Sequence, residues 1–173
     1  MLTYNVRLDM KANKRIASIA IMIFSLWGSV LATAAPAKIN SAVLSAYFGQ
    51  SAGDYIIPGK PLVQQFGEAL SGPPNKDVDV GNGVTLISGC RYKSCIEKGA
   101  VAIKSDNTVE AAGLIHFNCK ADTKKSGASC SKNPTFTLFV PKNKKSLDAE
   151  ISVLRWAHEY APDATFETVT LEK

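Results

Sequence analysis

From Val78 to Val140 the apolar residues recur at alternate positions, and on both sides of that block they recur at helical spacing. A period of two fits the pleat of a strand, and a spacing of three and four fits one face of a helix. The change of period therefore restricts the chain to consecutive strands flanked by helices, an α+β arrangement. Gly81-Asn82-Gly83 is a strong hairpin signal between Val78/Val80 and the return strand from Val84 to Ser88. Ala100 to Lys104 is a further strand, Ser105-Asp106-Asn107 a tight turn, and Thr108 to Asn118 the next strand. Val109, Ala111, Gly113, Ile115 and Phe117 fall on one of its faces, and His116 shares the other with Glu110, Ala112 and Leu114 as a half-exposed residue. Residues 120–133 read as a polar loop, and Thr135 to Val140 as a strand that buries Phe136, Leu138 and Val140.

Before this block, Ser41 is a candidate cap for a short helix carrying Val43, Leu44, Tyr47 and Phe48, which Gly49 ends. A loop follows, and Pro61 suits the first turn of a second helix with Leu62, Phe66 and Leu70 on one stripe. After the block, Ser146 reads as an N-cap. Leu147, Ile151, Leu154, Ala157 and Ala161 form the apolar stripe of a third helix, and Pro162 stops it. Thr165 to Leu171 alternates as a final edge strand. The expected fold is a single α+β domain, with one antiparallel sheet and helices packed on one side.

Residues 1–34 are excluded from that domain. Arg7, Lys11, Lys14 and Arg15 make a positive start, Ile16 to Leu31 is apolar, and Ala32-Thr33-Ala34 offers the small residues of a cleavage site. This reads as a signal peptide, with an uncleaved anchor as the other reading because Ile16 to Ala37 is nearly long enough to span a bilayer. The expected domain is residues 35–173, periplasmic or secreted and not embedded in a membrane. Of the chain's net charge of +5, three units leave with the leader. The remaining +2 is too mild to argue for nucleic acid or an anionic membrane, and Lys142-Asn143-Lys144-Lys145 reads as a solvated turn.

All four cysteines, Cys90, Cys95, Cys119 and Cys130, lie after the leader. An even count in an oxidising compartment reads as two disulfides. Three pairings are open, and the local one, Cys90–Cys95 with Cys119–Cys130, is the simplest. A four-cysteine zinc site is the rival, but four and ten intervening residues do not match the paired spacing of zinc ribbons. Cys90-Arg91-Tyr92-Lys93-Ser94-Cys95, placed directly behind a strand, would hold Arg91, Tyr92 and Lys93 out to solvent. The plain alternative is a bridge that closes a turn and does nothing more.

No catalytic or cofactor site is assigned. His116 and His158 stand apart, and no second histidine follows His158 at the spacing of a helical zinc site. There is no Gly-x-Ser-x-Gly elbow, and Gly81-Asn82-Gly83 lacks the helix a phosphate loop requires. Asp54, Asp77, Asp79, Glu97, Asp106 and Glu110 fall almost entirely in loops or turns, where acids are usually solvated.

Residues 84–119, from Val-Thr-Leu-Ile-Ser-Gly-Cys-Arg-Tyr-Lys-Ser-Cys through Ala100-Val101-Ala102-Ile103 to Ala112-Gly113-Leu114-Ile115, resemble the core of the Ivy-type periplasmic inhibitors of vertebrate lysozyme. That family orders a strand, a Cys-x4-Cys loop, an Ile-Ala-Val-type strand, a short turn and a Gly-Leu-bearing strand in the same way. Its loop reads Cys-Lys-Pro-His-Asp-Cys. Here Arg91, Tyr92, Lys93 and Ser94 take the four inner places, with Lys93 where the family carries the histidine that enters the lysozyme cleft. The resemblance implies an Ivy-like fold and an exported protein that binds a peptidoglycan-cleaving enzyme, host or bacterial, through a loop of Arg91, Tyr92, Lys93 and Ser94. An immunity-type or structural interaction protein using another surface, and a hydrolase with an unrecognised site, are the other readings.

Overall fold

A computed structural model describes residues 39–122, 127–143 and 146–172. The leader reading at 1–34 lies outside them, as do parts of the 120–133 loop and of the Lys142–Lys145 run. In chain order the elements are α1 (Ser41–Phe48), β1 (Ala52–Gly53), β2 (Lys60–Pro61), α2 (Leu62–Ala69), β3 (Val78–Gly81), β4 (Val84–Arg91), β5 (Ser94–Lys104), β6 (Val109–His116), β7 (Cys119–Asp122), β8 (Gly127–Cys130), β9 (Thr135–Pro141), α3 (Leu147–Tyr160) and β10 (Thr165–Leu171).

The six-stranded sheet runs β10-β9-β6-β5-β4-β3. Strands β3 to β6 form an antiparallel meander, because each link is short enough for a hairpin. At the first turn Asn82 and Gly83 both hold positive φ, the conformation a tight hairpin requires. β9 returns antiparallel to β6. β10 then lies parallel to β9, since α3 carries the chain back across the sheet before it re-enters. The sheet is thus antiparallel with one parallel pair at its edge. Within the stretch 120–133, expected as a loop, the chain forms most of the ribbon β7–β8, which begins at Cys119 and in which Cys119 stands opposite Cys130.

The α+β class is the observed one, but the helices are not gathered on one side. α1 and α2 cover one face, where Leu44, Phe48, Leu62 and Phe66 meet Val101, Ile103, Ala112, Leu114 and Phe139. α3 covers the other, where Ala149, Val153, Trp156 and Ala157 meet Ala100, Ala102, Ala111, Ile115, Phe136 and Leu138. The central strands are apolar at both parities, as burial on two faces demands. Val109 lies with the α1/α2 core rather than with Ala111, because a bulge inserts Glu110: Ile103 faces Val109 and Ala102 faces Ala111.

α3 also sits on a different stripe from the expected one. It buries Ala149, Val153, Trp156 and Ala157, and leaves Leu147, Ile151 and Leu154 exposed. The sheet face beneath includes the small residues Ala100, Ala102, Ala111 and Gly113. A Cβ added at Gly113 would stand 2.7 Å from Val153 Cγ1 and 2.6 Å from Phe136 Cε2. Such a close approach seats Val153 directly over Gly113 and so sets the stripe of α3 that faces the sheet, with Ala149, Trp156 and Ala157 inward and Leu147, Ile151 and Leu154 outward. The N-cap of α1 is Asn40, whose side chain accepts from Val43 N at 3.0 Å, rather than Ser41.

Candidate functional site: the tip of the central hairpin

The candidate tip is the far end of the β4–β5 hairpin, where Arg91 pairs with Ser94 across a two-residue turn of Tyr92 and Lys93. Lys93 holds φ of +62°, a left-handed conformation that closes the turn. Just below, Cys90 faces Lys98, so Cys95, Ile96 and Glu97 are extra residues on β5 without a register partner. That irregularity swings Cys95 beside Cys90. The two are disulfide-bonded, with Cα atoms 4.8 Å apart. Both strands therefore run further than their alternation shows, and the bridge clamps the hairpin end.

A second brace comes from the segment after α2. Gly72 N donates to Cys90 O at 2.8 Å, and Tyr92 N donates to Ser71 Oγ at 3.0 Å. Only glycine fits at 72, since a Cβ there would lie 2.6 Å from Cys90 O. Further along, Asn75 N donates to Ser88 O, and Pro74 bridges Gly89. The outer edge of β4 is thus occupied from its turn with β3 up to the tip.

The four tip residues differ in what they present. Tyr92 is 64% exposed. Lys93 is exposed, with Nζ 5.4 Å from the Tyr92 ring centroid, and no described carboxylate pairs with it. Ser94 is half-buried. Arg91 does not project. Its Nη1 donates to Glu97 Oε2 at 2.7 Å, and its Nε lies 3.9 Å from Glu68 Oε2. Two carboxylates, one from α2 and one from the irregular stretch of β5, draw the guanidinium back along the scaffold. Ile96, outside the expected tip residues, is 65% exposed beside the bridge. Its only signal was an isolated apolar residue in an otherwise polar run.

His116 is 1% exposed, not half-exposed. The loop between α1 and α2 closes over it: the Tyr55 ring meets it edge-on at 5.1 Å, and its Nε2 is 2.9 Å from Thr137 Oγ1. Burial lowers its pKa to about 4, opposed by the negative charge of Glu97. No described carboxylate is hydrogen-bonded to it, and His158 lies exposed on α3. Two of the acids expected to be solvated are ion-paired on strands: Glu97 holds Arg91, and the bulge residue Glu110, 3% exposed, pairs with Lys104 Nζ at 2.9 Å. Among the described residues no group of three or more His, Cys, Asp or Glu is placed to hold a metal ion, and no helix is long and apolar enough to cross a membrane.

The chain matches no family model, no curated protein and no solved structure. What the tip can do therefore rests on its own chemistry. It offers one compact cation with three donors, on a stiff turn, next to a large amphipathic ring. Such a group can enter a concave acidic site and bond a carboxylate there.

Proposed function

We propose that this protein is an exported binding protein that blocks a peptidoglycan-cleaving enzyme, a lysozyme-like muramidase of host or bacterial origin, by inserting the tip of the β4–β5 hairpin into its acidic cleft. The observation that carries this reading is a disulfide-braced turn that presents Lys93 without a carboxylate partner among the described residues. Glycoside-cleaving sites of this kind hold one or two carboxylates. Lys93 meets one of them, Tyr92 packs on the cleft wall, and Ser94 supplies a short polar contact. Arg91 stands behind them, with Glu97 and Glu68 fixing the angle of the tip. Because the bridge and the Ser71-Gly72 contacts set the turn beforehand, little conformational entropy is lost on docking.

The test is capture and inhibition of a panel of animal and bacterial muramidases by the mature protein. Lys93→Ala is expected to weaken binding by about 2 kcal/mol or more, roughly 30-fold, and Lys93→Glu to abolish it. Wild-type affinity in Lys93→Glu removes the tip from the mechanism. A second reading, an immunity-type or structural partner protein that binds through another surface, is favoured by the exposed stripe of Leu147, Ile151 and Leu154 on α3. It predicts that Ile151→Asp, rather than Lys93→Glu, breaks complex formation.

A further inference from the structure

Beside the bridged end of the same hairpin, just below its tip, lies an open groove of about 360 Å³, lined by Cys95, Ile96, Lys98, Phe117, Pro134 and Tyr160 among others. Its walls are largely apolar, and Lys98 supplies a cation. Lys98 Nζ stands 5.0 Å from the Tyr160 ring centroid, and no described carboxylate lies within ion-pair distance of it. Asp163 shares the lining without pairing with it. Partial burial without an acid lowers the pKa of this ammonium. A lysine against an aromatic ring thus occurs twice at this end of the hairpin: Lys93 against Tyr92 in the turn and Lys98, below the bridge, against Tyr160 of α3. In each, an aromatic face stands where a surface lysine would ordinarily find a carboxylate or bulk water.

We propose that this groove is a second contact site, which takes a carboxylate carried next to an apolar side chain on the surface of the partner protein. The carboxylate docks on Lys98, and the apolar group lies against Ile96, Phe117, Pro134 and Tyr160. Charge complementarity selects the occupant: both cations, without a carboxylate partner among the described residues, ask for acids, and five residues of chain place their Cα atoms at most roughly 17 Å apart. A partner that engages both presents one acid inside its cleft and another on the lip, next to exposed hydrophobic surface. The identity of that partner rests on the reading under Proposed function; the groove's preference for an apolar carboxylate does not.

The direct test uses 3-phenylpropionate as probe, titrated into the isotope-labelled mature protein and followed by NMR. Saturable shifts are expected at Ile96, Phe117 and Tyr160. They should weaken at least tenfold in Lys98→Met and with the uncharged probe 3-phenylpropanol. Ile96→Glu is a second variant at an exposed position, and it should repel the carboxylate while leaving the fold intact. Absence of saturable shifts, or equal affinity for the alcohol and the acid, overturns the proposal. With a captured muramidase, Lys98→Met is expected to lower affinity about tenfold on top of the loss from Lys93→Ala. Loss of binding in Lys93→Ala with none in Lys98→Met overturns the two-point contact and leaves the tip reading standing. Phenylpropionate binding with no muramidase captured leaves the groove as proposed and removes the enzyme partner.

Discussion

At the scale of single residues, Arg91 shows how a neighbour decides a side chain's role. The sequence places it in line with Tyr92 and Lys93, yet Glu97 and Glu68 hold it back. If its work is to position the tip, Glu97→Gln should reproduce the binding loss of Arg91→Ala, and each loss should be smaller than that of Lys93→Ala. A direct contact between Arg91 and the partner would instead leave Glu97→Gln at wild-type affinity, as isothermal titration can show. His116 makes a prediction about pH. Its folded pKa of about 4 lies below the ordinary 6.5, so the unfolded chain binds a proton that the folded one refuses. Stability from the neutral imidazole is complete above pH 6.5 and is lost progressively as pH falls towards 4. The loss is on the order of 3 kcal/mol. Urea midpoints measured across that window should slope less steeply in His116→Phe than in wild type.

At the scale of elements, the buried Gln65 ties α2 to the loop before it. Its Nε2 donates to Gly53 O and Lys60 O, both at 2.7 Å, and its Oε1 accepts from the amides of Tyr55, Ile56 and Ile57. One side chain thus satisfies a whole irregular loop, and that loop forms the lid over His116. Gln65→Leu should cost about 2–4 kcal/mol, since several buried backbone groups lose their partner. The same substitution should raise proteolytic cleavage within residues 51–60 before global unfolding begins. Gly72→Ala should loosen the tip without opening the core, and its amide exchange at Tyr92 and Lys93 should quicken. Strand existence was legible in the sequence because alternation over Val101/Ile103 and Phe136/Leu138/Val140 survives in the structure. The hairpin, the strand β10 and the ends of α3 were legible from Asn82-Gly83, from the alternation of Thr165 to Leu171, and from Ser146 and Pro162. The bulge at Glu110 was not, because a single inserted residue leaves no mark in composition. Nor was the buried stripe of α3, because leucine outranks alanine on hydrophobicity alone and only the depth of the sheet surface reverses that order. Of the candidate site, the exposed Tyr92 and Lys93 were legible. The withdrawal of Arg91 and the exposure of Ile96 depend on long-range neighbours and on register, which no local pattern encodes.

For the whole molecule, a single sheet covered on both faces explains why both parities of β5 and β6 are apolar while the tip of their hairpin is polar. β4 and β5 run from the buried core directly into the proposed contact surface. Reduction of Cys90–Cys95 should therefore weaken binding less than Lys93→Glu does, because the Ser71-Gly72 contacts remain. Binding assays with and without a mild reductant check this, and equal loss in both would assign the disulfide the greater part of the bracing.

The parallel docking of β10 on β9 has a consequence for how the chain is completed. Strands β3 to β6 meet through neighbours in sequence, whereas β10 waits until α3 has crossed the sheet, so its closure is paid last in entropy. A molecule cut before Thr165 would keep its meander and leave β9 with an unclothed row of amides and carbonyls, inviting a stranger's strand. The strand Thr165–Leu171 is in that sense the seal of this sheet edge.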